Sequence, residues 1–265
     1  YDTQFAVIDD FLVFKFWAGE QLAYMMPVGN GDLKAVLRKL IEDADKEKHN
    51  FCMLGVCSNM RADLEAILPE RFIFTEDRAY ADYIYLRSDL ATLKGKKFQA
   101  KRNHINRFRN TYPDYEYTPI TPDRIQECLD LEAEWCKVNN CDQQEGTGNE
   151  RRALIYALHN FEALGLTGGI LHVNGKIVAF TFGMPINHET FGVHVEKADT
   201  SIDGAYAMIN YEFANRIPEQ YIYINREEDL GIEGLRKAKL SYQPVTILEK
   251  YMACLKDHPM DMVRW

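Results

Sequence analysis

Apolar residues recur along this chain first at a spacing of two, then at spacings of three and four, and the switch repeats. From Phe5 to Met26 a run rich in Phe, Val and Tyr predicts two or three antiparallel strands, which Pro27-Val-Gly-Asn-Gly-Asp32 interrupts. Leu33, Val36, Leu37 and Leu40 follow at helical spacing behind Asp32, a residue suited to cap a helix. Phe51 to Val56 reads as a strand and Arg61 to Leu68 as a short helix stopped by Pro69. Phe72 to Thr75 and Tyr80 to Leu86 read as two further strands.

Lys94 to Arg109 has another character, with seven Lys or Arg, His104 and no acid. Phe98, Ile105, Phe108 and Tyr112 keep one side of it apolar, so it predicts an amphipathic helix that Pro113-Asp114 ends. Thr121-Pro122-Asp123 then starts a helix carrying Ile125, Cys128, Leu129 and Trp135. A loop at Asn139 to Asn149 leads to a second helix, Glu150 to Leu164, with Gly165 as its stop. Gly168 to Val173, the turn Asn174-Gly175 and Ile177 to Met184 predict a hairpin, and Thr190 to Val195 a third strand. A polar loop then runs into a helix with Ile209, Phe213 and Ile217. Tyr221 to Ile224 is a strand, Ile232 to Leu240 a short helix, and Pro244 to Tyr251 a last strand.

Composition narrows this little: 265 residues, 46% hydrophobic and 27% charged, suffice for one large or two modest globular domains. The net charge of −9 argues against a surface given over to DNA or anionic lipid, and makes the basic helix stand out. No apolar run reaches the ~18 residues of a membrane helix; Gly168 to Pro185 is broken at Asn174, Gly175 and Lys176. The start at Tyr1 shows neither Met nor a signal-peptide pattern, so upstream residues are expected to be missing. Cys52, Cys57, Cys128, Cys136, Cys141 and Cys254 form no C-x-x-C pair and lie in or beside apolar stretches. They are expected to be reduced, mostly buried thiols of a cytoplasmic protein without a zinc site.

Five stretches carry a more specific signal: GKKFQAKRNHINRF (Gly95 to Phe108), YEYTPI (Tyr115 to Ile120), HVNGKIVAF (His172 to Phe180), DGAY (Asp203 to Tyr206) and NREEDLGIEGLRKAKLSYQP (Asn225 to Pro244). Together, over roughly Leu93 to Tyr251, they resemble the DUF2156 family. That family is related to the C-terminal domain of phosphatidylglycerol lysyltransferase and to the Fem-type aminoacyltransferases of the GNAT superfamily. The resemblance implies an α/β (α+β) fold of two tandem GNAT-like domains with mixed central sheets flanked by helices. The first is expected over residues 1–115, including a basic helix at 94–111, and the second, with the active site, over 116–265. It also implies transfer of an acyl or aminoacyl group from acyl-CoA or aminoacyl-tRNA to an amine or hydroxyl acceptor, without metal or permanently bound cofactor. Expected partners are a small-molecule or peptide amine and tRNA, with peripheral membrane contact left open and DNA excluded. The alternative is a non-catalytic GNAT-fold protein that binds a nucleotide, a tRNA or a protein partner.

Such chemistry needs a cleft between two diverging strands, a place for the donor's phosphates and a base. His194 and Glu196 alternate with Val193 and Val195, so strict alternation puts both on one side as candidate bases. Asn225, Arg226, Glu227, Glu228 and Asp229 gather where a strand ends, with Arg236, Lys239 and Tyr242 following. Glu228 or Asp229 is the expected base or amine-binding carboxylate, Arg226 and Lys239 the expected anion clamps, and Arg226 or main-chain amides the oxyanion support. A purely structural salt-bridge network is the alternative for that cluster. The resemblance implies that Gly204, Ala205 and Tyr206 stand at the pyrophosphate-binding place, although Asp199 and Asp203 bring unfavourable charge. Lys97, Lys101, Arg102, His104, Arg107 and Arg109 are expected either to grip a polyphosphate or acceptor stem, or to pair with acids of the body. Gly29-Asn30-Gly31 reads as a plain turn.

Overall fold

The computed structural model describes residues 3–139 and 147–256 and divides the chain into two units, Tyr1–Asp82 with Leu248–Trp265, and Tyr83–Ile247. In the first unit β1 (Gln4–Ile8), β2 (Phe11–Ala18) and β3 (Gln21–Met25) form the expected antiparallel set, Phe5 opposite Phe14 and Phe16 opposite Ala23. Asp9 and Asp10 turn the first hairpin at φ 49° and 64°, the left-handed pair a two-residue turn needs. β4 (Val28–Gly29) lies back against β2, where a Cβ on Gly29 would sit 2.2 Å from the Asp10 carbonyl oxygen. The Gly-Asn-Gly run is thus a turn shaped by packing.

α1 (Leu33–Lys46) starts where the Asp32 carboxylate accepts from the Ala35 amide at 3.2 Å. It buries Val36, Leu37, Leu40, Ile41 and Ala44 in one core with Phe11, Val13, Leu22, Tyr24 and Met53 of the sheet. β5 (Cys52–Val56), α2 (Ser58–Ile67) and β6 (Phe72–Glu76) complete this stretch.

β7 (Asp82–Leu86), whose first residue still belongs to the first unit, leads into the second, and α3 (Arg87–Thr92), a helix the apolar pattern did not announce, and the basic helix α4 (Gln99–Thr111) follow. Next come β8 (Glu116–Pro119), α5 (Ile125–Asn139), α6 (Thr147–His159), β9 (Thr167–Val173), β10 (Lys176–Pro185) and β11 (Thr190–Ala198). Of the expected loop at 139–149, residues 140–146 lie outside the described residues. α7 (Ala205–Ala214), β12 (Tyr223–Asn225), α8 (Glu233–Leu240) and β13 (Thr246–Leu248) follow. The sheet runs β13-β7-β12-β11-β10-β9-β8. Asn174 and Gly175 turn the β9–β10 hairpin at φ 52° and 73°. One core gathers Tyr83, Tyr85, Ile105, Phe108, Met208 and Phe213 from β7, α4 and α7. A separate one gathers Cys128, Leu154, Leu158, Phe180 and Phe182 from α5, α6 and β10.

The boundary expected near residue 115 is not the one observed. α4 buries Ile105 and Phe108 in the same core as β7 and α7, so the basic helix belongs wholly to the second unit. Pro244 to Tyr251 is likewise not one strand. β13 stays in the second sheet, whereas β14 (Tyr251–Leu255) enters the first between β5 and β6, antiparallel to both. Cys254 of β14 stands opposite Cys52 of β5, and the two form a disulfide across a sequence separation of 202. That corrects the reading of six reduced thiols, since only the return of the chain end brings this pair together. Cys57 and Cys128 are free, and Cys141 lies outside the described residues.

Candidate functional site

β11 and β12 pair in parallel only from Thr190–Tyr223 to Gly192–Asn225. β11 continues to Ala198 while the chain beyond β12 turns away at Arg226, so the two strands part at this point. On its other edge β11 slips against β10: Phe182 pairs with Val195 and Gly183 with Val193, which leaves His194 as the extra residue of a bulge. Gly183 permits the approach, because a Cβ there would lie 1.8 Å from the Gly192 carbonyl oxygen. The bulge overturns the simple alternation read from sequence. Val193 packs with the α7 core and Val195 with the α5–α6 core, on opposite faces although two residues apart. Glu196 thereby reaches Asn210 of α7, while His194 takes a different partner.

That partner is Glu227, whose Oε1 lies 2.6 Å from His194 Nδ1. An ionised carboxylate accepts a proton from Nδ1, and in the neutral imidazole of that tautomer Nε2 is the acceptor. The His194 side chain is 32% exposed. Glu227 itself sits at φ 58°, a left-handed conformation unusual for this residue type. Its amide donates to Asn225 Oδ1 at 2.7 Å, and Lys239 Nζ donates to the main-chain carbonyls of Arg226, Glu227 and Glu228 at 2.5, 3.1 and 2.5 Å. Burial, and then the charge of Arg226, lower the Lys239 pKa to about 8.

The remaining ionisable groups of this loop are engaged by one another. Asp229 is fully buried and accepts from Arg236 Nε at 2.8 Å, Arg236 Nη2 at 2.9 Å, the Tyr83 hydroxyl at 2.6 Å and the Gly231 amide at 2.8 Å. Its hydrogen bonds with Arg236, then those with Tyr83 and Gly231, hold this carboxyl well below the usual range. Asp229 thus anchors the loop, its pair with Arg236 is the salt-bridge alternative read from the sequence, and the Lys239 ammonium is engaged by main-chain carbonyls. Asn225 likewise serves the turn. Glu228 contributes its carbonyl to Lys239.

Arg226 faces the parting strands. Its Nη2 donates to Glu196 Oε1 at 2.9 Å, and its guanidinium lies over the rings of Tyr242 and Tyr85 at 4.9 and 5.6 Å. Lys101 brings its ammonium 3.9 Å from the Tyr242 ring centre. Burial, followed by the Arg226 charge, lowers the Lys101 pKa to about 8. Burial also pushes the Tyr242 and Tyr85 phenols up, so both stay neutral near pH 7.

The rest of the basic helix does other work. Lys97 pairs with Asp89 at 2.8 Å, Arg107 with Asp203 at 2.6 Å and Arg109 with Glu212 at 3.6 Å. Arg102 donates to the carbonyls of Leu93 and Gly95 and to Gln99. His104 stands 3.8 Å from Asp203. At Gly204, φ is +86° and a Cβ would lie 2.9 Å from the His104 carbonyl oxygen, so α4 crosses closely over the start of α7. The Ala205 amide donates to Ile202, and the Tyr206 hydroxyl accepts from Trp135 at 2.9 Å. Helix packing therefore accounts for Gly204, Ala205 and Tyr206 without a phosphate.

Sequence reasoning singled out Arg226, Glu196, His194, Lys101 and Tyr242, and the second unit brings Arg226, Glu196, Lys101 and Tyr242 together. It placed Glu227 in the acidic cluster but gave the base role to its two acidic neighbours, and it missed Tyr85 and Asn210. A signal existed for Asn210, a polar residue inside the apolar helix AYAMINYEFA; none separates Glu227 from Glu228 before the turn is seen. Among the described residues no group of three His, Cys, Asp or Glu gathers as metal ligands.

The family model for the C-terminal part of phosphatidylglycerol lysyltransferase matches residues 1–254. Among solved structures, the fold resembles the C-terminal DUF2156 domain of a putative lysylphosphatidylglycerol synthetase from Agrobacterium fabrum, with TM-score 0.75 and 13% identity over 96% of this chain and 84% of that one. It resembles L-PGS from Bacillus licheniformis, with TM-score 0.69 and 17% identity over 98% and 86%. A tandem GNAT protein from the clavulanic acid biosynthesis pathway gives 0.52 and 10% over 94% and 80%. These likenesses show a mixed α+β, GNAT-like acyltransferase fold. An uncharacterised protein of Mycoplasmoides gallisepticum is 25% identical over 177 residues, 64% of this chain and 55% of the relative, so the chain spans about half that protein's length.

Proposed function

The chain belongs to the phosphatidylglycerol lysyltransferase C-terminal family, and from that premise we propose that it transfers an aminoacyl group from its ester on tRNA to a hydroxyl or amine acceptor, with His194 as base. The observation that carries this reading is the His194–Glu227 pair, 2.6 Å apart where β11 and β12 part. A neutral imidazole oriented by a carboxylate is the arrangement that draws a proton from a weakly acidic nucleophile. The acceptor's O–H or N–H proton passes to Nε2 as its heteroatom bonds to the ester carbonyl carbon. When the tetrahedral adduct collapses, the ribose hydroxyl leaves with that proton, and His194 returns to its starting state. Glu227 steadies the transient imidazolium, and Lys239 keeps Glu227 in place through the three carbonyls it holds.

The packing at Gly204 favours an aminoacyl ester over acyl-CoA as donor. A diphosphate needs open amides at the start of α7, and there the backbone of α4 and the carboxylate of Asp203 are already at hand. The fold and the family support an acyltransferase. Incubation with tRNA charged with labelled amino acids, alongside labelled acetyl-CoA, tests the donor. Label should move from tRNA to acceptor and His194→Gln should slow that transfer at least ~100-fold. Transfer from acetyl-CoA alone, or an unimpaired His194→Gln, would overturn the reading.

A further inference from the structure

The first unit is assembled from two stretches of chain that the second unit separates in sequence. β14 is the one described strand that the later stretch gives to the first sheet, and it stands inside that sheet, between β5 and β6. Among the described strands β6 pairs with β14 alone, so whatever holds β14 holds β6 as well. Two kinds of link hold it. Ala253 and Leu255 are buried in the first core with Phe72, and the Leu255 and Lys256 amides donate to the Phe51 and Arg71 carbonyls at 3.0 and 2.9 Å. On the other face Cys254 is bonded to Cys52, directly opposite on β5. The two sulfurs differ in their surroundings. Cys52 is 3% exposed, whereas Cys254 is half-buried on the face it shares with Ile73 and Met252, which are 53% and 38% exposed. A disulfide with an accessible sulfur is of the labile kind, since its exchange requires a thiolate to reach that sulfur.

From this placement we infer that Cys52–Cys254 is a redox-sensitive clasp: a dithiol opens it by attack on the Cys254 sulfur, and the opened pair lets β14 and β6 loosen while the core around α1 stays closed. In the first step one sulfur of the dithiol bonds to Cys254 Sγ as the S–S bond breaks, and Cys52 Sγ leaves with the electron pair and takes a proton. The second sulfur of the dithiol then attacks the first, which closes a cyclic disulfide and releases Cys254 as a thiol. The dithiol gives up two electrons and two protons, and the protein disulfide takes up the same; a disulfide oxidant reverses the exchange. The order of attack follows from exposure, because Cys254 is the sulfur within reach. Reclosure follows from the ladder: β14 keeps its backbone pairing and its buried Ala253 and Leu255, so the freed thiols stay opposite each other. The loosening is confined, because α1 packs on Phe11, Val13, Leu22, Tyr24 and Met53, none of which lies on β14 or β6. Burial pushes the free Cys57 and Cys128 thiols up, so neither supplies a competing thiolate near pH 7. The clasp is independent of the acyl transfer read from the second unit.

Two measurements on the whole chain test the clasp. Hydrogen exchange is followed in the oxidised protein, after reduction with dithiothreitol without denaturant, and after reoxidation with oxidised glutathione. Amides of β14 and β6 should exchange at least about tenfold faster on reduction and recover on reoxidation, while those of α1 and α7 keep their rates. Unchanged exchange in β14 and β6 would show that the bond has no hold on them. Loss of α1 protection would make the bond a staple of the whole unit, and a bond that dithiothreitol leaves intact would be permanent; each of these overturns the inference. The direction of attack is read from the single variants Cys52→Ser and Cys254→Ser, alkylated in the folded state with N-ethylmaleimide and mapped by peptide mass. The remaining Cys254 should react at least about tenfold faster than the remaining Cys52, in proportion to its access. Equal rates, or a faster Cys52, would overturn the assigned order of attack and with it the clasp, and the exchange measurement on the parent stands even where a variant fails to fold.

Discussion

Each unit is built around a mixed sheet that accepts a strand from far along the chain, yet they bury different things. The first closes α1 and its sheet around Phe, Leu, Ile, Val and Met, and Asp82 is its one buried charged residue among those described. The second buries Glu132, His172, Lys197, Asn210, Glu212, Asn225, Asp229 and Lys239. A buried polar group is costly unless partnered, so sequences keep it where it specifies a shape or performs chemistry. The contrast teaches that the first unit is held by packing and a covalent link, whereas the second spends stability on one loop and one pair of strand ends.

The largest effect expected from breaking this contrast lies in the first unit. Cys52–Cys254 closes a loop of about two hundred residues, and removing such a link releases about 5 kcal/mol of unfolded-chain entropy. Cys52→Ser with Cys254→Ser should lower the stability of the first unit by an amount of that order in chemical denaturation. Thiol titration of the unfolded, unreduced parent should show both cysteines blocked. A parent with both thiols reactive would remove the link and the contrast with it.

Next in size is the chemistry of the second unit. Glu227→Gln should cut transfer about tenfold to a thousandfold, because the amide fixes the wrong tautomer and no longer stabilises the imidazolium. Equal turnover would detach the pair from the mechanism. A smaller and different effect is expected at Asp229. Asp229→Asn should lower the melting temperature by ~5 °C and reduce transfer only through the displaced loop. The carboxyl's pKa is depressed on folding, so its contribution to stability is complete above about pH 4 and fades as pH falls through the folded value. Transfer abolished with an unmoved melting temperature would restore Asp229 as a base.

These residues also mark how far the sequence could be read. The strands, the capped helix at Asp32, the basic helix and the Asn174-Gly175 hairpin follow from local period and turn chemistry, and the family was legible in five short stretches. Three features were not. The bulge at His194 depends on Gly183 and Gly192 meeting across two strands, and one extra residue reverses which faces Val193 and Val195 take. The split of Pro244–Tyr251 into strands of two sheets is a matter of which edge is vacant, and an alternating pattern carries no such information. The roles within Arg226–Asp229 depend on a left-handed Glu227 pinned by a lysine twelve residues on, so neighbours of like charge receive unlike tasks.

The smallest expected effect is also the most selective. Lys101 has a pKa lowered to about 8 by burial and then by Arg226. The unfolded chain therefore binds more protons than the folded one between about pH 8 and pH 10, and stability should rise with pH across that range. Lys239 titrates over the same range and acts on the loop at Glu227, so the parent reports both lysines together. Lys101→Met separates the two. Denaturation at a series of pH values should show a shallower rise in the variant, and the slope that remains belongs to Lys239 and the loop. A rise kept in full by Lys101→Met would show that Arg226 and burial do not hold the Lys101 ammonium at a disadvantage.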